Sequence, residues 1–190
     1  MSNNPDLQAL IQAAKVQGLS LDPTLSEASR AFIAAADQAR RPLSLSEIRL
    51  ISHRSGVEPE LISRLQTLAD QLVSQARAHL LQQQPELVQP GGALYPEERA
   101  AACWRDCWNF LRVITYAVAC NQSCFTNPSG MAALRELYRR MNVPIEGMNI
   151  ALDQLKVIAL EGISKSNDRQ LIDACFQHLR DQLNKTAVKS

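Results

Sequence analysis

Apolar residues return every three or four positions along almost the whole chain. Leu61, Leu65, Leu68, Leu72, Ala76 and Leu80 form one such series, and Ile172, Cys175, Leu179 and Leu183 another. No stretch alternates with the two-residue period of a strand. The helical pattern is interrupted at Leu21-Asp22-Pro23, Arg41-Pro42, Ser55-Gly56, Pro85, Pro90-Gly91-Gly92, Asn127-Pro128, Pro144 and Ser164 to Asn167. Each of these carries turn or helix-start chemistry. They divide the chain into eight predicted helices near residues 5–18, 24–40, 44–53, 58–83, 96–120, 129–141, 145–162 and 168–185. An all-α stack around one long central helix follows, globin-like or an irregular bundle, since periodicity alone does not choose between them. Neither repeats nor a dividing linker appear, so residues 1–190 read as a single domain.

Composition narrows the function. Hydrophobic residues make up 46% of the 190, enough to fill the core of one domain. Lys and Arg total 20 against 19 Asp and Glu, and a net charge of +1 offers no footprint for nucleic acid. The start, Met1 to Leu7, is polar, and no apolar run is long enough to span a bilayer. The protein is therefore expected to stay in the compartment where it is made. Five cysteines is an odd number, and they read as reduced thiols.

Cys103, Cys107, Cys120 and Cys124 form two C-x-x-x-C pairs, which raises the question of zinc. On one continuous helix Cys107 and Cys120 would lie roughly 20 Å apart, too far to share a metal. No metal site is expected. Cys107, Cys120, Cys124 and Cys175 are read as small apolar fillers. His53, His79 and His178 stand without partner ligands and read as surface or hydrogen-bonded histidines.

The chemistry concentrates in Cys103, Arg105 and Asp106, a thiol, a cation and a carboxylate at i, i+2 and i+3 of the central helix. Cys103 and Asp106 share a face. A guanidinium nearby and the positive end of a helix beginning near Pro96 favour a thiolate nucleophile. By itself the triplet also fits a small core cysteine beside two solvated charges. Trp104 and Trp108, one turn apart, fit either core aromatics or a stacking wall, Trp104 reading rather as core and Trp108 as pocket.

The surroundings of the triplet decide between these. From Pro90 to Ile145 the chain carries, in order, Pro90-Gly91-Gly92, Tyr95, Ala101-Ala102-Cys103-Trp104-Arg105-Asp106, Leu111-Arg112, Thr115-Tyr116-Ala117, Leu134-Arg135-Glu136, Tyr138 and Pro144-Ile145. In order and spacing these blocks resemble the phycobiliproteins, allophycocyanins most closely. There the central helix opens after P-G-G-N-x-Y and carries C-x-R-D and L-R-x-x-T-Y. An L-R-E-x-Y helix and a Pro-led helix follow it. Weaker similarity extends from Asp6 through Val16-Gln17-Gly18 to His178-Leu179-Arg180, so nearly the whole chain is covered.

The resemblance implies a globin-like phycobiliprotein fold with an N-terminal helical pair. Residues 1–40 would supply that pair, 41–60 an insertion, and 61–190 the globin core. It implies a light-harvesting subunit of a phycobilisome, not an enzyme, carrying a phycocyanobilin-type linear tetrapyrrole as a thioether on Cys103. Asp106 would accept the inner pyrrole N–H bonds and Arg105 would bind a propionate. Tyr95 and Tyr116 occupy family pocket positions, each otherwise an ordinary half-buried tyrosine, and Trp108 would join them. The implied partners are other phycobiliprotein subunits, linker proteins and a bilin lyase, at the cytoplasmic face of the thylakoid membrane or in the cytoplasm. The alternative is a divergent paralogue with a regulatory, assembly or turnover role.

The chain departs from the family pattern at several places, of which the altered residues after Asp106 and the insertion support that alternative. Ala93 stands where beta-type subunits usually have an asparagine. Cys107-Trp108-Asn109-Phe110 replaces a typical Leu-Asp-Tyr-Tyr, and Asn121-Gln122 replaces Gly-Asp. Arg169 lies where some beta subunits carry a second attachment cysteine, so a second pigment is not expected. The segment from Arg41 to Glu60, with Leu43, Leu45, Ile48 and Ile51 as its apolar stripe, is expected to project from the body and modify a subunit contact.

Overall fold

The computed structural model describes residues 5–185. These residues form nine α-helices: α1 (Pro5–Ala13), α2 (Glu27–Gln38), α3 (Leu45–Ser55), α4 (Pro59–Thr67), α5 (Ala69–Gln83), α6 (Glu97–Ala119), α7 (Pro128–Arg140), α8 (Ile145–Leu160) and α9 (Ser166–Asn184). The all-α expectation holds, with an N-terminal pair ahead of a helical stack. Two boundaries differ from the sequence pattern. The segment expected to run through 58–83 is broken at Leu68, which lets α4 pack on α3 and α6 while α5 packs on α8. No proline or glycine marks this break, and the apolar spacing runs straight through it. The first helix stops at Ala13, and the next residues run extended to pair with the segment just ahead of α7. Gln17 pairs with Thr126, Gly18 N–H donates to the Phe125 carbonyl at 2.7 Å, and Asn127 N–H donates to the Val16 carbonyl at 2.8 Å.

One connected hydrophobic core extends from Leu19 to Leu183, with α6 at its centre. From Val113 to Ala119 every residue of α6 is buried. A helix covered on all sides must be apolar all round, and Val113, Ile114, Ala117, Val118 and Ala119 meet that demand. The helix ends at Cys120, and Asn121 then adopts φ +54°, a left-handed conformation that asparagine tolerates better than most residues. This accounts for asparagine where the family pattern has glycine. Helix α1 reaches α7 closely enough that a Cβ on Gly130 would lie 1.8 Å from the Lys15 carbonyl oxygen, so only glycine fits there.

The segment Arg41 to Glu60 does not project from the body. Leu43, Ile48, Ile51 and Val57 are buried in the main core, and α3 packs on α2, α4 and α6. Only Leu45, 64% exposed, departs from the expected stripe. The segment is well capped. Ser44 accepts from Glu47 N–H while the Glu47 carboxylate accepts from Ser44 N–H, and Gly56 closes α3 at φ +73°. The Gln66 side chain grips the Leu43 backbone at both its N–H and its carbonyl, at 2.8 and 3.0 Å. A helix too short to stand alone is thus held by the chain's own body.

Ile48→Ala is expected to lower the unfolding free energy by about 2–5 kcal/mol in urea denaturation, the usual cost of emptying a sealed core site. Leu45→Ala should stay within about 0.5 kcal/mol. A second expectation concerns acid. Arg41 binds Glu47 through two bonds of 2.7 Å, and this pairing holds the Glu47 carboxyl down to about 2. A depressed folded-state pKa contributes stability in full above the unfolded value of 4.5 and loses it as pH falls toward about 2. Glu47→Gln should therefore flatten the loss of thermal stability across that window, read by circular dichroism melts at stepped pH.

Candidate functional site

The site begins with the turn that launches α6. Gly91 takes φ +89°, and a Cβ on Gly92 would sit 2.1 Å from the Glu86 carbonyl oxygen. The paired glycines of the Pro90-Gly91-Gly92 block are thus required by backbone geometry. Leu94 N–H donates back to the Leu87 carbonyl at 2.8 Å, and Arg99 donates to the carbonyls of Ala93 and Met141 at 2.9 and 2.7 Å. These bonds fix the start of α6 against the end of α7. Glu97 and Glu98 occupy the first turn, where the helix dipole favours anions.

Two turns into α6 the predicted triplet is assembled. Cys103 is 6% exposed, Asp106 is largely buried, and Arg105 points to solvent. Tyr138 of α7 donates its hydroxyl to Asp106 Oδ2 at 2.8 Å. Burial pushes the Asp106 carboxyl above its ordinary pKa, against the opposing pull of the Tyr138 hydrogen bond and of the Arg105 and Arg40 charges. The same burial and the neighbouring carboxylate push the Tyr138 hydroxyl well up, so it stays a donor. Cys107, one turn beyond Cys103, is fully enclosed, with Sγ 3.8 Å from Met148 Sδ of α8. A hydrogen bond with Cys103, followed by burial, raises the Cys107 thiol far above its usual range.

The aromatic candidates divide. Trp104 is buried beneath the Arg77 guanidinium, which lies 5.5 Å from its ring centroid, and its Nε1–H has no hydrogen-bond partner among the described residues. Trp108 is half-buried and donates Nε1–H to Asp70 Oδ1 of α5 at 3.1 Å. Tyr95 is 48% exposed just ahead of α6. Tyr116 is not brought to this group: 13 residues beyond Cys103 on the same helix, it lies roughly 20 Å away along the axis. Its buried hydroxyl donates to the Arg41 carbonyl and accepts from Arg112 Nη1 at 2.8 Å. Tyr138, quoted in a sequence block but given no role there, is the residue the pattern left out. Its only sequence signal was its spacing after Leu134-Arg135-Glu136.

The remaining sequence candidates have structural places. Cys120 and Cys175 are buried, and burial raises both thiols to about 12. Cys124 is exposed rather than a core filler, because it falls in the loop after α6. His178 shares a 2.8 Å hydrogen bond with Thr126, and His79 one of 2.7 Å with Gln83. Arg169 caps the end of α8 by donating to the Leu160 and Ile163 carbonyls. Two open cavities of about 470 and 260 Å³ meet at Asn121, at the far end of α6 from Cys103. Among the described residues no helix is long and apolar enough to cross a membrane.

The donor set around Cys103 fits a linear tetrapyrrole. A buried carboxylate with a single tyrosine donor can take pyrrole N–H bonds, an exposed guanidinium can take a propionate, and a buried indole N–H lacks an acceptor.

Comparison with known proteins identifies the family. The phycobilisome protein family profile matches residues 31–183. The allophycocyanin subunit alpha-B of Synechocystis sp. is 32% identical over 158 residues, covering 82% of this chain and 97% of that one. The C-phycocyanin beta chain of Aglaothamnion neglectum is 30% identical over 139 residues, 72% of this chain and 79% of that one. Among solved structures, a far-red fluorescent biliprotein derived from a far-red induced allophycocyanin F subunit of Chroococcidiopsis thermalis superposes with a TM-score of 0.61. It is 25% identical, and the match covers 67% of this chain and 96% of that one. Family members are light-harvesting pigment proteins and not enzymes. On the family match, the fold and the blocks from Pro90 to Ile145 together, the chain belongs to the phycobilisome protein family.

Proposed function

We propose that the chain is an allophycocyanin-like antenna subunit that carries a phycocyanobilin-type linear tetrapyrrole on Cys103. The observation that supports this most is the buried Cys103 on one helix face with the half-buried Asp106, which is bonded to the buried Tyr138 at 2.8 Å, beside an outward-facing Arg105. When bound, the pigment supplies visible absorption and passes excitation to neighbouring pigments.

The chain's own residues attach, hold and stiffen it. The Cys103 sulfur adds to an unsaturated carbon of the pigment's side chain. A carbon–sulfur bond forms, the thiol proton passes to the adjacent carbon, and no electrons leave the pair. Asp106 accepts the inner N–H bonds, and a cationic partner there offsets the burial that raises its pKa in the pigment-free chain. Tyr138 keeps Asp106 in one rotamer. Arg105 pairs with a propionate at the surface through charge-assisted hydrogen bonds. Because Cys103 is only 6% exposed, attachment requires the side chains over the first turns of α6 to move outward. A bilin lyase is the partner that fits this step, and assembly with other subunits and linker proteins at the thylakoid surface fits the family.

A second reading, a regulatory or assembly paralogue, rests on Cys107-Trp108-Asn109-Phe110 beside the attachment point. Stoichiometric recovery in intact phycobilisomes supports the antenna role, and absence from them supports the paralogue.

Cys103→Ala is expected to abolish covalent pigment, read as loss of zinc-enhanced fluorescence from the denatured protein on a gel. Undiminished fluorescence would place the attachment elsewhere. For Asp106→Asn the thioether should persist while the visible band weakens, shifts to the blue and becomes more pH-sensitive. A spectrum unchanged between about pH 5 and pH 9 would mean that Asp106 does not face the pyrrole nitrogens.

A further inference from the structure

Three buried sulfur-bearing side chains lie beneath the first turns of α6, and nothing in the pigment reading uses two of them. Cys103 and Cys107 stand one helical turn apart, where side chains at i and i+4 share a face. From the facing helix α8, Met148 brings Sδ to 3.8 Å from Cys107 Sγ. Exposure of the three is 6%, 1% and 1%. Buried cysteines and methionines are usually just packing. Here two of them touch through sulfur, and the third stands one helical turn away on the same face.

We propose that Cys103, Cys107 and Met148 form a three-coordinate binding site for a soft monovalent cation, Cu(I), in the pigment-free chain. Thiolate and thioether donors select Cu(I) over harder ions. A metal about 2.3 Å from each of three sulfurs in one plane requires sulfur–sulfur separations near 4 Å. The 3.8 Å between Cys107 and Met148 already matches that span. No cavity is needed, because the ion takes the space vacated by thiol protons. The exchange balances without redox change: Cu(I) and two thiols give a bis-thiolate complex of charge −1 and two released protons. The Arg40 and Arg105 guanidiniums that act on the adjoining Asp106 offset the charge.

Zinc is disfavoured because structural zinc takes four ligands, and the nearest candidate for a fourth, Asp106, is held by Tyr138. The site goes beyond the pigment reading and shares only Cys103 with it. Once Cys103 is alkylated, one thiolate is gone, so metal and pigment exclude each other.

The test uses the full chain expressed without pigment, fully reduced and under anaerobic conditions. It is titrated with Cu(I) in competition with bicinchoninate. One Cu(I) per chain is expected, with a sulfur-only coordination shell by X-ray absorption. Cys107→Ala removes a ligand and is expected to exceed the roughly 10–100-fold loss that removing an outer partner brings. Met148→Leu conserves volume and keeps the fold. It should weaken Cu(I) by about tenfold, since a thioether is the softer but weaker ligand. Cys124→Ser, at an exposed thiol outside the cluster, should change nothing.

Unchanged affinity in Met148→Leu and in Cys107→Ala would overturn the site, as would loss of Cu(I) in Cys124→Ser or its displacement by equimolar Zn(II). Should Cys107→Ala fail to fold, Met148→Leu alone decides. Both variants keep Cys103, so their pigment uptake, read by zinc-enhanced fluorescence, judges the antenna reading separately.

Discussion

A guanidinium buried inside the central helix constrains much of this fold. Arg112 lies deep in α6 with only 7% of its side chain exposed, and a charge taken out of water there is tolerable only with partners. Asp37 at the end of α2 supplies the counter-charge at 2.9 Å. Tyr116, one turn along α6, accepts a second bond from Arg112 and passes its own proton to the Arg41 carbonyl. Among the described residues Nε of Arg112 has no partner, so the guanidinium depends on those two and on Asn109 Oδ1, which accepts from Nη2 at 3.5 Å. The spacing of the L-R-x-x-T-Y block now has a physical reason. Arginine and tyrosine at i and i+4 meet on one face and together clamp the junction between α2 and α3, while Thr115 turns its hydroxyl back to the Leu111 carbonyl at 2.8 Å.

That clamp reaches the functional site through the same junction. Arg40, in a left-handed conformation at φ +48°, follows directly on the residues that hold Arg112 and acts electrostatically on Asp106. Arg41 turns the other way and grips Glu47, which caps α3. Residues 37–47 therefore couple three things: the buried charge in α6, the start of α3 and the field at the candidate pigment carboxylate.

Much of this was legible in the sequence, for identifiable reasons. Helices with regular apolar spacing and flanking breakers were read correctly in type and place, α9 with Ile172, Cys175, Leu179 and Leu183 inward among them. The break at Leu68 was not, because tertiary packing makes it and no local residue signals it. The segment 41–60 was misread as projecting. A short amphipathic stripe looks the same whether a partner or the chain's own body covers it, and only the Gln66 and Glu47 bonds settle which. The candidate triplet Cys103, Arg105 and Asp106 was read from helical spacing and a family pattern. Tyr138 and Met148 come from helices α7 and α8, and no local rule joins them to α6. Tyr116 was assigned to a pocket on family position alone, whereas its hydroxyl is engaged with the α2–α3 junction.

The face that α6 presents to α5 carries both tryptophans of the chain. Trp108 ties this face by donating to Asp70, and Trp104 fills it beneath Arg77. Trp104 nevertheless buries an N–H with no acceptor, at a typical cost of about 1–3 kcal/mol. A core position built only for packing would be served as well by an apolar side chain, which carries no such cost. Under the proposed attachment at Cys103, a pigment carbonyl would be an acceptor for that donor, and the cost carried by the pigment-free chain would then favour the pigment-bound state.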